Sequence, residues 1–360
     1  MQIFLGILFH FIGGFASGSF YVPYNKVKGW SWESYWIVGG LFSWLIVPPI
    51  AAWLTIPHFG EIISSTDYSV LGWTFFWGIL WGVGGLTYGL GMRYLGMSLG
   101  NSVLLGFTSA FGAIVPSIYY NLVPTEGKTT ISDLISTEWG RIILLGIGLC
   151  LVGIIVCGKA GMMKEKELPE EKKKESVKEF NLVKGLLVCT LSGILSACFN
   201  YGIEAGTSMA ERANEIWKSA HPDATSEFLY QNNVIYIVLL WGGLTTNFIW
   251  CMILNTRNKS FVDYTNQSTP LKWNYIFSAM AGTIWFLQFF FYGMGESRLG
   301  NGASSWILHM AFIILIANLW GILLKEWKGT SARTKSTIGL GIAAILLSVI
   351  IVGYGNSLKA

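Results

Sequence analysis

Ten separate apolar runs of about twenty residues each restrict this chain more than any other feature of its sequence. Apolar residues make up 52% of the 360 and charged residues only 12%, too few charges to solvate the surface of a soluble protein of this size. The pattern is that of a polytopic membrane protein. In lipid, a spanning segment of this length satisfies its own backbone groups as a helix, so all ten runs are expected to be helical. They cover roughly 4–22, 33–56, 70–91, 97–120, 139–159, 183–206, 228–255, 272–294, 300–323 and 335–356. Pro48, Pro49 and Pro116 fall inside spans as expected kinks. The opening "MQIFLGILFHF" has neither a basic leader nor a small-residue cleavage site and reads as a retained first span.

Basic residues orient the spans. The loops after spans 1, 3, 5, 7 and 9 hold Lys26, Lys28, Arg93, the lysine-rich run from Lys159 to Lys184, Arg257, Lys259, Lys272, Lys325, Lys328, Arg333 and Lys335. The opposite side holds Lys128, Arg141, Arg212, Lys218, Arg298 and Lys359. The positive-inside rule then puts both termini outside and the odd-numbered loops in the cytoplasm. The mixed-sign run "KEKELPEEKKKESVKEF" between spans 5 and 6 reads as a solvated cytoplasmic linker, 161–182, dividing a first unit, 1–160, from a second, 183–360. The polar segment 207–227 on the outer side suggests a surface helix.

The two units look related. "GILFHFIGGFASGSF" from Gly6 and "GLLVCTLSGILSACF" from Gly185 align without gaps, matching Gly6, Leu8, Gly14, Ser17 and Phe20 to Gly185, Leu187, Gly193, Ser196 and Phe199. "LGN" recurs at Leu99–Asn101 and Leu299–Asn301, and spans 5 and 10 share a glycine–isoleucine spacing. A five-helix unit is odd, so its second copy inserts upside down. The expected fold is therefore an all-α membrane protein, ten transmembrane helices as two inverted five-helix repeats, with substrate held near the midplane where the repeats meet.

Few residues in the spans could carry chemistry. His309, in "SSWILHMAFIILIAN", lies roughly 13 Å into span 9, and His10 lies within span 1. Histidine takes and releases protons near neutral pH, and an ionisable group at this depth usually faces a cavity or a proton route, or else bonds across helices. In span 8, Trp285, Gln288 and Tyr292 share one helical face. An indole, an amide and a phenol suit a sugar, which has hydroxyls to bond and an apolar ring face to stack. Trp306 stands three residues before His309, and Trp77, Trp81 and Tyr88 line span 3. Aromatic packing and interfacial belts account for the same residues without a ligand. Glu204, Glu296 and Arg298 lie near outer span ends, where they could gate or take up protons, but snorkelling to water also explains them. "GVGGLTYGLG" at 82–91 lacks a strand–turn–helix context, so close packing at Gly78–Gly82 and Gly85–Gly89 is the better reading. The five cysteines, Cys150, Cys157, Cys189, Cys198 and Cys251, all lie in apolar runs and read as packing residues. There is no nucleophile–base–orienter set, metal-ligand spacing or basic nucleic-acid face, so neither cofactor nor nucleic acid is expected.

"YNKVKGWSWESYW", "MRYLGMSLG", "LISTEWGR", "EFNLVKGL", "WFLQFFFYGMG", "SWILHM" and "LLKEW", in this order along nearly the whole chain, resemble the bacterial L-rhamnose–proton symporter family of the drug/metabolite transporter superfamily. The resemblance implies an inner-membrane carrier that takes up a sugar, L-rhamnose foremost, with a proton, and it matches His10 and His309. The sequence departs from the family at Gly85 and Thr87, where the family carries asparagines, and at "GESRLG" around Glu296, where it carries a histidine and a longer turn. Those departures leave the identity of the sugar open. Rival readings are an uncoupled facilitator, an exporter of another small metabolite, or a membrane-embedded transferase, which would need a reactive group at a membrane face.

Overall fold

The computed structural model describes residues 2–95, 97–167, 182–300, 302–323 and 327–359. Among these residues there is no strand. Helix α1, Gln2–Ser19, runs into the single turn α2, Tyr21–Tyr24. Next come α3, Trp32–Gly40, and α4, Val47–Thr55, joined without a break through Leu41–Ile46. The first half continues with α5, Phe59–Ser65; α6, Tyr68–Leu95; α7, Met97–Leu122; α8, Ile131–Ser136; and α9, Glu138–Glu167. The second holds α10, Leu182–Ala205; α11, Thr207–Ala220; α12, Asn233–Asn258; α13, Leu271–Leu299; α14, Gly302–Leu323; and α15, Ala332–Lys359. Eight helical segments among the described residues are long and apolar enough to cross a membrane. Helices α7 and α14 are not among those eight, but α14 contains the apolar stretch Ser304–Ala317.

The proline pair in the second span has a local consequence. Pro48 and Pro49 cannot donate to the helical ladder, and their rings crowd the carbonyls one turn back. The turn before them widens into π-helical Leu41–Ile46, and the helix continues past it. The expected surface helix is α11, which buries Met209, Ala210 and Ala213 and leaves its charged face to water.

The expected linker begins later than 161, because α9 runs on to Glu167. The Glu167 carboxylate accepts the Ser331 backbone N–H at 2.6 Å, the Ser331 hydroxyl at 2.6 Å and the Thr334 hydroxyl at 2.7 Å. It thereby caps α15 and ties α9 to it. The Ser331 hydroxyl first, then its N–H and Thr334, hold this carboxyl below the usual carboxylate range. Residues 168–181, most of the linker, lie outside the described residues.

The packing follows a simple plan. Helix α1 packs on α13 and α14, and α10 packs on α6 and α7. Helix α3 crosses α13, while α12 crosses α6. Helices α9 and α15 pack along each other at one flank. Glycines set the crossings. A Cβ at Gly282 would collide with the Gly39 carbonyl, and one at Gly242 with the Phe75 carbonyl beside Gly78. Gly82 likewise meets Gly243 and Thr246, as the close-packing reading expects. Gly85 does not. It has no atom within 4 Å of its Cβ direction, because its side of α6 faces open space, and that part of the reading is corrected.

A leucine at Gly282 must force α3 and α13 apart, costing about 1–3 kcal/mol or more. Gly282→Leu is therefore expected to lower the melting temperature in detergent markedly. Gly148→Ala and Gly339→Ala, where nothing lies within 4 Å, are expected to hold or raise it.

Candidate functional site

Helices α1, α10, α13 and α14 meet in a seam of polar side chains sunk in apolar surroundings. His10 is 0% exposed and His309 2%, with ring centroids 5.9 Å apart. The Tyr292 ring lies 5.4 Å from His10 and 5.3 Å from His309, closing a triangle. Gly13 and Gly295 make the triangle possible: a Cβ at Gly13 would sit 3.0 Å from His309, and one at Gly295 would sit 2.7 Å from His10 Nε2. Neither His10 ring nitrogen makes a hydrogen bond among the described residues, and neither does Gln288 Nε2, on a side chain 5% exposed. The His309 ring has the His10 backbone close by, but without good hydrogen-bond geometry. The Tyr292 hydroxyl donates to Asn200 Oδ1 at 3.3 Å, and the Asn200 amide donates to the Gly112 carbonyl at 2.7 Å. The Trp306 ring stands 5.9 Å from Tyr292, its indole N–H donating to the Thr108 carbonyl at 2.8 Å.

An aromatic wall adjoins this seam. Trp285 stacks on Phe20 at 5.0 Å and packs against Trp44 at 5.3 Å, Trp36 at 5.5 Å and Trp81 at 6.1 Å. Phe199 links wall to seam, stacked on Phe289 at 4.3 Å and on Trp306 at 6.4 Å, with Trp81 at 5.2 Å. The structure thus gathers His10, His309, Tyr292 and Trp306 in the seam, with Gln288 one turn from Tyr292, and Trp285 and Trp81 in the wall. Trp77 packs elsewhere, against Tyr201 and Trp73. Tyr88 sits beside Leu104 and Cys189.

Sequence reasoning passed over Asn200, Phe20, Phe199, Trp36 and Trp44. A lone asparagine inside the apolar run of span 6 was a readable signal for Asn200, and the Phe20–Phe199 match had already paired two of the wall residues.

Polar contacts close both ends of the bundle between α3–α4 and α12. At one end Ser34 donates to Asp263 at 2.8 Å and lies 3.4 Å from Asn255, while Ser260 and Asn258 donate to Glu33 at 2.6 and 3.0 Å. At the other, Asn233 donates to Thr55 at 3.0 Å. At this same end Lys128 pairs with Glu204 at 3.0 Å, and Asn232 donates to Glu296 at 2.7 Å.

A family model described as L-rhamnose-proton symport protein matches residues 1–358. The L-rhamnose-proton symporter of Yersinia pestis (strain Pestoides F) is 35% identical over 358 residues, 98% of each chain. The protein of the same name from Citrobacter koseri is 36% identical over 356 residues, covering 98% of this chain and 97% of its own.

Proposed function

Because the chain belongs to the L-rhamnose-proton symport protein family, a family of transporters rather than enzymes, we propose that it takes up L-rhamnose together with a proton across the bacterial inner membrane. The observation that carries this reading to particular residues is the seam. Two imidazole rings and an amide nitrogen lie buried near mid-membrane without well-formed hydrogen bonds, next to a wall of indole rings. A sugar's hydroxyls satisfy such groups, its ring stacks on indole, and an imidazole holds the proton. Trp285, Gln288, Tyr292, Trp306 and Trp81 are the substrate-binding candidates, and His309 and His10 are the coupling candidates.

Ten helices in two inverted five-helix repeats suit this task. The packing plan supports that reading, because it maps onto itself when α1 is exchanged for α10, α3–α4 for α12, α6 for α13, α7 for α14 and α9 for α15. The crossing glycines exchange as well, Gly39 with Gly242 and Gly78 with Gly282. So do the stacks, Phe20 on Trp285 against Phe199 beside Trp81. "GILWGVGGLTYGLGMRYLG" and "GTIWFLQFFFYGMGESRLG" align without a gap, matching Gly78, Trp81, Tyr88, Gly89, Gly91, Leu95 and Gly96 to Gly282, Trp285, Tyr292, Gly293, Gly295, Leu299 and Gly300. Under this exchange Tyr292 corresponds to Tyr88 and His10 to Cys189, which pack beside each other. The scaffold therefore accepts an apolar partner at this place, and a histidine is kept on one side alone.

Alternating access follows. The two ends of the α3–α4/α12 contact open in turn, and with both termini in the periplasm, outward opening presents the seam to an acidic exterior that favours imidazolium. Inward opening presents it to neutral cytoplasm, which takes the proton. Coupling requires that proton and sugar bind cooperatively, or that the half-loaded carrier reorients slowly.

Purified protein in liposomes tests the reading. An imposed proton gradient is expected to drive L-rhamnose accumulation; equilibration alone would indicate a facilitator, and product formation without transport an enzyme. In the same liposomes His309→Gln is expected to keep exchange of labelled rhamnose and to lose accumulation and sugar-driven alkalinisation. Accumulation with the wild-type pH dependence would remove His309 from coupling. Gln288→Leu keeps the bulk but not the amide, and it is expected to weaken directly measured rhamnose binding by about 1–3 kcal/mol with normal insertion. Unchanged affinity would remove Gln288 from the site.

A further inference from the structure

Snorkelling accounts poorly for Glu296. It is half-buried at the end of the bundle that carries both termini, on the same helix as Tyr292 and next to Gly295, against which the His10 ring packs. Its Oε2 accepts from Asn232, and no cation pairs with it among the described residues. Glu204, on α10, holds Lys128 and the Tyr120 hydroxyl through its own Oε2. That leaves the Oε1 atoms of both carboxyls converging on Gly302: a Cβ built there would stand 3.2 Å from Glu204 Oε1 and 3.4 Å from Glu296 Oε1. Gly302 is thus the gap through which the two carboxyls face each other.

The charges around this gap do not balance. Lys128 supplies one positive charge for both carboxyls: it pairs with Glu204 at 3.0 Å, meets Thr207 Oγ1 at 3.3 Å and acts on Glu296 only from farther off. The other groups felt at Glu296 are Glu227, from the segment before α12, and the neutral phenols Tyr236 and Tyr292. Arg298 is turned outward, donating to the Glu227 carbonyl at 2.8 Å. Two carboxylates facing one ammonium in a partly dry site leave one negative charge uncompensated, and a bound proton removes it. The cluster also touches water, with Lys128 24% and Glu204 17% exposed at their side chains. Beneath it stands His10, fully buried, with both ring nitrogens unpartnered.

We propose that Glu296, facing Glu204 across Gly302, is the group that takes up the coupled proton from the periplasmic side and supplies the His10–His309 pair beneath it. The step is a proton transfer alone: external hydronium gives its proton to a Glu296 carboxylate oxygen and leaves as water. As the carrier closes over sugar, that proton moves inward to an imidazole nitrogen and the carboxylate is restored. Glu204 is a positioning residue, whose charge sets how tightly Glu296 holds the proton. The inference rests on the symport reading above and adds to it where the proton is loaded.

The test uses full-length protein in liposomes, with L-rhamnose as the probe and external alkalinisation as the readout. Glu296→Gln is expected to abolish rhamnose-driven alkalinisation while keeping rhamnose counterflow, and Glu296→Asp is expected to restore alkalinisation in part. Glu204→Gln removes a facing negative charge and frees Lys128, so the pH profile of coupled uptake is expected to move to lower pH by about one unit or more. Should Glu296→Gln fail to insert, the Glu204→Gln profile decides, and an unmoved profile overturns the proposal. Wild-type alkalinisation in Glu296→Gln overturns it alone. Wild-type protein that moves no protons with rhamnose overturns the symport reading and this inference with it.

Discussion

Two glycine crossings set how closely the two halves of this chain approach, and the rest of the structure is built around them. In lipid, helices gain no hydrophobic energy by associating, so contact must come from backbone proximity and from polar groups that find partners. Gly39 against Gly282, and Gly242 beside Gly78 against the Phe75 carbonyl, let α3 meet α13 and α12 meet α6 at distances a side chain would forbid. Each crossing joins an early helix to a late one. The indole wall stands between them, with Trp44, Trp81 and Trp285 packed together.

Around that frame, polarity is placed sparingly and with consequence. At the end holding Glu33, Ser34, Asn255, Ser260 and Asp263, buried groups satisfy one another. Each such bond contributes only about 0.5–1.5 kcal/mol net, yet an unmade one costs as much or more, so the network favours one closed arrangement over partly opened ones. The seam at His10, His309 and Gln288 is the reverse case. Its polar atoms are buried without partners, a cost that the proposed sugar would recover on binding.

Much of this was legible in the sequence. Apolar run length identified the membrane class, and most span boundaries fell within a few residues of the helices, because a bilayer-crossing helix is specified by composition over many residues. The run from 161 was read as linker where α9 continues, because the partners of Glu167, Ser331 and Thr334, stand far along the chain and no local signal announces them. Spacing placed Trp285, Gln288 and Tyr292 on one helix face. It could not say that Trp285 would join the wall while Tyr292 joined the histidines, since that depends on which neighbours each meets. Phe199 and Asn200 escaped for the same reason. Glu296 was read as an acid that could take up protons but ranked below the histidines, because its opposite, Glu204, is brought to it only by the fold.

The central claim is that the two ends of the α3–α4/α12 contact open alternately about a fixed seam. Spin labels on exposed positions across each end, Lys26 with Val262 and His58 with Glu227, measure this directly by pulsed electron resonance in nanodiscs. Adding L-rhamnose and lowering pH is expected to shift the two distance distributions in opposite directions, one widening as the other narrows. Two distributions that widen together, or that do not respond at all, would contradict the account.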